Sequence, residues 1–244
     1  MGVSYTMQLM NLVTTRLTEA MVAAGFVESE PLDGRPAEEP ATRNPQLRRL
    51  WFTLPDSGIR GMSGAIGARL TREPGRVGIQ GQAWVGSAAL GELAERLPPR
   101  ALTGAEFDSV PFGYFDDRFD PFRELYLGAE VDVEYVVGKF MQYVQGPAAE
   151  WLGDRDSLAK LFDLARKPNM LDALDGVNPD PPRLRGAVLL NVLNGQPDLA
   201  ASLMTWYLAR DQFHHWDSTA QVVAFDLELA QQYPAYAQAR GAGQ

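Results

Sequence analysis

The sequence predicts an α+β protein, in which an N-terminal helix lies on a small antiparallel β-meander and an α-helical C-terminal region with a helical hairpin follows. Two patterns predict this class: apolar residues recur at helical spacing near the N-terminus and alternate at strand spacing between residues 47 and 85. The order helix, strands, helices also differs from the strand–helix alternation of a parallel α/β sheet. We expect an α+β domain over residues 1–146 and a helical region over 147–244, as two parts or as a single domain.

The first element is a predicted helix of about twenty residues. Its buried stripe consists of apolar residues at spacings of three and four: Met10, Val13, Leu17, Met21 and Ala24. Gly25 supplies the left-handed backbone that ends many helices, and Phe26 is placed to fold back onto the last turn. The segment 28–46 contains four prolines and few apolar residues, so we expect a loop there.

Three strands are predicted next. The first covers Leu50–Leu54, the second part of Ile59–Thr71, and the third Val77–Val85, where small apolar and polar residues alternate. Pro55–Gly58 and Glu73–Gly75 have the composition of tight turns, so the strands should form an antiparallel meander.

Helices account for most of the remaining chain. Ser87 should cap a helix that ends before Pro98, and an apolar stripe from Val133 to Val144 predicts a longer helix. After Pro147 the pattern is helical throughout, and the short link 194–196 predicts a helical hairpin. Ser218 and Gln221 form a capping box for a last helix, a short helix is expected at Asp120-Pro121, and the tail from Arg240 should fray.

The charge distribution bears on the partner. The chain has a net charge of −9, and residues 103–180 alone carry 16 acidic and 7 basic residues, a balance of −9. A phosphate backbone selects clustered Lys and Arg, so this balance disfavours nucleic acid and favours a basic protein partner. The absence of Cys excludes disulfides and thiolate chemistry. No apolar run could span a bilayer and no signal-peptide pattern is present, so we expect a soluble, cytoplasmic protein.

The two histidines, His214 and His215, are adjacent. Neighbouring side chains on a helix point about 100° apart, so we interpret the pair as packing at a junction between helices, with no metal bound. No phosphate-binding glycine motif is present, and no cofactor is expected. The alternative to a binding protein is a hydrolase or transferase that uses His214 or His215 with a distant carboxylate.

The candidate site lies where aromatic and acidic residues are mixed, because such a mixture is typical of a hot spot for a basic partner. The predicted partner-binding residues are Phe115, Asp116, Asp117, Asp120, Glu130 and Glu134. Glu130 and Glu134 lie one turn apart on a predicted helix, where they could equally form only a solvated face. Paired carboxylates also serve glycosidase chemistry or bind Mg²⁺, which stays a further alternative. We predict no catalytic residue.

One resemblance joins these features. The helix that ends in Ala23-Ala24-Gly25-Phe26, the meander that ends in Val77–Gln82 and the acidic helical second half together resemble bacterial immunity-protein-like domains of polymorphic toxin systems, over residues 5–165. The resemblance implies a protein that binds and blocks a cognate toxin and catalyses no reaction. It assigns no individual residue, because those families share no fixed binding motif.

Overall fold

The computed structural model contains one helix, a sheet and then a series of helices, which confirms the α+β class. It describes residues 4–30, 46–54, 58–97, 105–116, 123–169 and 175–242. Two compact units are present. Among the described residues, unit 1 falls within Met1–Ser57, Ser63–Val85 and Ser109–Gly153. Unit 2 falls within Gly58–Met62, Gly86–Asp108 and Asp154–Gln244. The units interleave along the chain, so both contain segments of the predicted domain 1–146.

Helix α1 (Tyr5–Ala23) opens unit 1 and buries four of the five predicted stripe residues, Met10, Val13, Leu17 and Met21, together with Leu9. Ala24 is the C-cap residue after the helix and is only partly buried. Gly25 has a φ of 90°, and the N–H of Phe26 donates to the carbonyl of Met21 at 3.1 Å. This bond and the burial of Phe26 are the features of a helix end closed by a left-handed glycine. The predicted end of the helix is therefore confirmed.

The sheet is antiparallel where its register is defined. The described residues form six strands: β1 (Val27–Ser29), β2 (Leu47–Thr53), β3 (Ser63–Glu73), β4 (Arg76–Gly86), β5 (Glu106–Pro111) and β6 (Leu125–Leu127). Strands β1 to β5 follow one another across the sheet in chain order, and β6 pairs with β4. The predicted meander corresponds to β2, β3 and β4, and Gly75 has a φ of 79° in the turn after β3.

Helix α2 (Ala88–Ala94) starts as predicted, with the Ser87 hydroxyl accepting the N–H of Leu90. Helix α3 (Val133–Gln145) lies against α1 and β6, and α4 (Pro147–Gly153) follows it. The buried face of α3 is the predicted apolar stripe: Val133, Val136, Val137, Phe140, Met141 and Val144. This stripe fixes which residues of α3 face outward.

Unit 2 contains five further helices: α5 (Leu158–Ala165), α6 (Pro181–Leu193), α7 (Pro197–Leu208), α8 (Thr219–Gln232) and α9 (Pro234–Ala242). Helix α6 lies at the centre, in contact with α2, α5 and α7. Gly195, with a φ of 72°, connects α6 to α7 and confirms the predicted hairpin. Asp180 caps α6 and Ser218 caps α8, each by accepting a backbone N–H. Only half of the predicted capping box forms, because the Ser218 hydroxyl accepts the N–H of Gln221 but the N–H of Ser218 donates to the carboxylate of Asp217.

Two local predictions are wrong. The expected loop 28–46 begins within β1, because Val27–Ser29 pairs with β2; residues 31–45 lie outside the described part. The tail does not fray at Arg240, because its guanidinium binds the carboxylate of Asp226 at 2.9 Å and holds α9 to α8. The short helix expected at Asp120-Pro121 lies outside the described residues. No helix in the described ranges is long and apolar enough to cross a membrane.

Candidate functional site

The start of helix α3 presents an exposed apolar pair. Val131 lies in the 3₁₀ turn Glu130–Asp132 that precedes the helix, and Tyr135 lies in its first turns. Val131 is 84% exposed and Tyr135 is 68% exposed. Among the large hydrophobic side chains that the structure describes, only Val177 is comparably exposed. We refer to Glu130, Val131, Glu134 and Tyr135 as the α3 patch.

The local sequence explains why this pair faces outward. The inner face of the helix is formed by Val133, Val136 and Val137. Val131 lies two residues before Val133 and Tyr135 one residue before Val136, so both side chains point away from that face. The carboxylate of Asp132 accepts the N–H of Ala129 at 3.2 Å and closes the turn. This bond fixes the backbone that carries Glu130 and Val131.

The charged residues of the α3 patch differ in their partners. Glu134 lies 3.3 Å from the Nε of Arg16 on α1, and both side chains are mainly solvated, so this ion pair is weak. Glu130 makes no ion pair within the described residues. The Nζ of Lys139 lies 5.8 Å from the centre of the Tyr135 ring, at the edge of the patch. The patch therefore offers a carboxylate beside an aromatic ring.

Asp116 has a structural role. Its carboxylate accepts the hydroxyl of Tyr143 at 2.9 and 3.0 Å and forms an ion pair with Arg123. Burial raises the pKa of the Tyr143 phenol, and the hydrogen bond to Asp116 raises it further. Because Arg123 neutralises Asp116 and the side chain is mostly covered, its charge is poorly available to a partner.

Phe115 belongs to an aromatic cluster beside this carboxylate. The Phe112 ring stacks on Tyr143 at 5.4 Å between centres and lies 5.9 Å from Phe115. Phe112, Tyr143 and Arg123 line a shallow cleft with a cavity volume of about 10 Å³. A cavity of roughly 10–15 Å³ holds about one water molecule, so the cleft does not favour a small-molecule site.

The structure places the described partner-binding residues near two different parts of α3. Asp116 contacts Tyr143, which lies nine residues after Glu134, or about 13 Å along the helix axis. The sequence predicted that Glu130 and Glu134 lie on one helix. In the structure Glu130 lies instead in the 3₁₀ turn before α3. Asp117 and Asp120 lie outside the described residues.

The two histidines lie in unit 2, in the irregular segment between α7 and α8. The predicted position at a junction between helices is confirmed, but the argument from helical directions does not apply to this irregular segment: the two rings are 4.3 Å apart between centres. Asp175 joins them, and one ligand atom from each of the three residues lies within 4.8 Å of the others. His214 is fully buried and His215 is exposed.

Hydrogen bonds set the ionisation of Asp175. Its carboxylate accepts the backbone N–H of Asn178 at 2.9 Å, the side-chain amide of Asn178 and the N–H of Val177. These bonds, that from the Asn178 backbone first, lower the pKa of Asp175 to about 2. Sequence analysis did not select Asp175; its only signal is the Asp-Gly-Val-Asn turn composition, which does not indicate a histidine partner.

Two buried ion-pair groups on α6 were also missed. Asp108 binds Arg155 at 2.8 Å and Arg183 at 2.9 Å. Arg185 binds Asp217 at 2.6 Å, and the Tyr207 hydroxyl donates to the same carboxylate. Asp217, the acid nearest to the histidines in sequence, is therefore occupied by Arg185. Both groups pair buried charges inside unit 2.

Comparisons with protein families, curated proteins and solved structures find no match. Two arrangements of the described residues could bind a partner or a ligand. The α3 patch of unit 1 can bury an aromatic and an aliphatic side chain against a partner. The imidazoles and carboxylate of unit 2 can act as ligands or as proton carriers.

Proposed function

We propose that the chain is a non-catalytic binding protein that binds a basic protein partner through the α3 patch. The proposal extends to an inhibitor of the immunity-protein type, acting in the bacterial cytoplasm. The observation that carries it is the exposure of Val131 and Tyr135, four residues apart at the start of α3. A solvated valine and tyrosine at this spacing contribute nothing to the core of unit 1.

The residue types of the patch fit a protein partner. Tyrosine is enriched at binding hot spots, because its ring buries a large apolar area and its hydroxyl still forms a hydrogen bond. Val131 lies in the 3₁₀ turn that leads into α3 and Tyr135 in the first turn of the helix, so one groove of a partner can cover both exposed side chains.

Charge supports a basic partner. Glu130 and Glu134 flank the apolar pair, within a stretch (103–180) that carries 16 acidic and 7 basic residues. Such a surface attracts a positively charged protein and accelerates its association. Because Glu134 is only weakly held by Arg16, a partner's Lys or Arg can replace that contact.

A second candidate function, a hydrolase or transferase, has one supporting observation. Asp175 lies with His214 and His215, which is the combination of imidazole and distant carboxylate that such an enzyme needs. With a pKa of about 2, Asp175 stays ionised at neutral pH and could orient an imidazole but not donate a proton. Substituting both histidines with Ala should abolish function under this candidate and leave partner binding intact under the first.

The test of the proposed function uses a matched pair of double variants. Val131→Ser with Tyr135→Ala removes the apolar pair of the patch. Val223→Ser with Leu227→Ala is the control, because these residues are also exposed, four apart and helical, but lie on α8. The wild-type chain and both variants are immobilised and exposed to lysate of the native organism, and each retained protein is quantified.

We expect a basic protein that the wild type and the control retain equally and the patch variant loses. A hot spot of at least about 2 kcal/mol corresponds to roughly 30-fold weaker binding. Equal retention by all three chains, or no protein retained above the background of a blank matrix, contradicts the proposal.

A further inference from the structure

The three side chains Asp175, His214 and His215 form a ligand set in unit 2. One ligand atom from each lies within 4.8 Å of the other two. Two nitrogens and one carboxylate oxygen are the donors that Zn²⁺ and related transition metals accept, whereas Mg²⁺ and Ca²⁺ prefer oxygen donors alone.

The set is held in place before any ion binds. The carboxylate of Asp175 is oriented by the side-chain amide of Asn178, whose carbonyl oxygen accepts the guanidinium of Arg210 at 3.1 Å. His214 is fully buried and cannot reorient freely. Supporting hydrogen bonds of this kind fix the direction of metal ligands in known sites. His215 is exposed and gives an ion access from solvent.

We propose that Asp175, His214 and His215 bind one divalent transition-metal ion, with Zn²⁺ as the reference ion. Zinc bonds of about 2.0–2.2 Å place tetrahedral donors roughly 3.4 Å apart, so the set must contract by up to about 1.4 Å. The exposed His215 can approach the other two ligands by rotation of its side chain. The fourth coordination position is left to water or to an external ligand.

A metal bound at the Nδ1 of His214 would displace a weak hydrogen bond there. This Nδ1 accepts the N–H of Trp216 at 3.3 Å, which is long for a hydrogen bond. An N–metal bond is considerably stronger than such a contact. The Trp216 ring lies 4.9 Å from His214 and 5.2 Å from His215 between centres, so it reports directly on this position.

Equilibrium dialysis of the full chain against ZnCl₂, followed by elemental analysis, tests the site. The wild type should bind one equivalent of Zn²⁺. Asp175→Asn and His215→Ala should each weaken binding by at least about tenfold, since loss of even a supporting partner costs that much. Asp211→Asn is the matched control: Asp211 is an exposed aspartate three residues before His214 and outside the ligand set.

A second measurement does not depend on the folding of any variant with a changed ligand. Co²⁺ should quench the tryptophan fluorescence of the wild type saturably, and Trp216→Phe should lose this quenching while it still binds Zn²⁺. Binding of less than half an equivalent of Zn²⁺ by the wild type, or wild-type affinity in both ligand variants, would overturn the proposal. Because the set and the α3 patch share no residue, metal binding and partner binding are tested by separate variants and separate measurements, so the failure of one proposal is distinguishable from the failure of the other.

Discussion

Replacing Asp108 with Ala should destabilise unit 2 by about 3–5 kcal/mol, the range for a buried ion pair that loses one partner. Its Oδ2 accepts the Nε of Arg155 at 2.9 Å, and its Oδ1 accepts Arg183 at 2.9 Å. None of the three side chains is more than 9% exposed. The variant leaves two guanidinium groups buried beside each other without the carboxylate between them.

The magnitude follows from two opposing contributions. A pair of charges about 4 Å apart gains roughly 4 kcal/mol at an effective dielectric constant near 20, and Asp108 makes two such pairs. Desolvation of the carboxylate opposes this gain by several kcal/mol, which leaves a net loss of about 3–5 kcal/mol on removal. Burial lowers the pKa of Arg155, and the neighbouring charge of Arg183 lowers it further. The carboxylate of Asp108 opposes both effects and favours the charged form of Arg155.

Urea unfolding followed by circular dichroism measures the loss. Asp108→Asn should lie between the wild type and Asp108→Ala, because the amide keeps an acceptor but no charge. Asp156→Ala is the matched control: Asp156 also pairs with a basic residue, Lys160, at 2.9 Å, but both side chains are about half exposed. Such a pair contributes within about 1 kcal/mol. If Asp108→Ala costs no more than Asp156→Ala, the reasoning is refuted.

Three further predictions concern packing, pH and charge. Gly81→Ala should lower the unfolding free energy by about 1–3 kcal/mol, because the added Cβ would overlap the Phe112 ring. Gly138→Ala, in open space on α3, should raise it by about 0.5–1 kcal/mol. Urea unfolding of both variants checks this pair. Burial raises the pKa of Tyr207 and Tyr236, so these tyrosines ionise at lower pH in the unfolded chain than in the folded one. The unfolding free energy should therefore fall above a pH of about 10, and it should fall less steeply in the variant with both tyrosines replaced by Phe. An equal slope of unfolding free energy against pH in the two chains would contradict this. Stopped-flow association with the captured partner should slow as salt rises from about 0.01 to 0.15 M, and Glu130→Gln with Glu134→Gln should slow it several-fold, unlike the exposed control Glu92→Gln with Glu95→Gln; a salt-independent rate rules out steering.

Elements that depend on local signals were predictable from the sequence. The stripe of α3 was recovered residue by residue, because its period alone determines the buried face. The end of α1 at Gly25 and the N-cap at Ser218 were also found, because both depend on residues within one turn.

Features that depend on distant contacts were not. Strand β1 has three residues and exists only because it pairs with β2. The partners of Asp108 lie 47 and 75 residues away, and no sequence period marks such a pair. The argument that the two histidine side chains diverge failed for a related reason: it used helical geometry, and the segment between α7 and α8 is irregular. Asp175 joins the pair only through the tertiary fold.

The most direct test of the proposed binding function is hydrogen–deuterium exchange of the chain, alone and bound to its captured partner. Burial of the α3 patch should slow exchange of the amides at residues 130–137 and leave the matched helix face at residues 219–229 of α8 unchanged. Slowed exchange confined to α8, or none at residues 130–137 in a saturated complex, would contradict the assignment of the α3 patch as the binding surface.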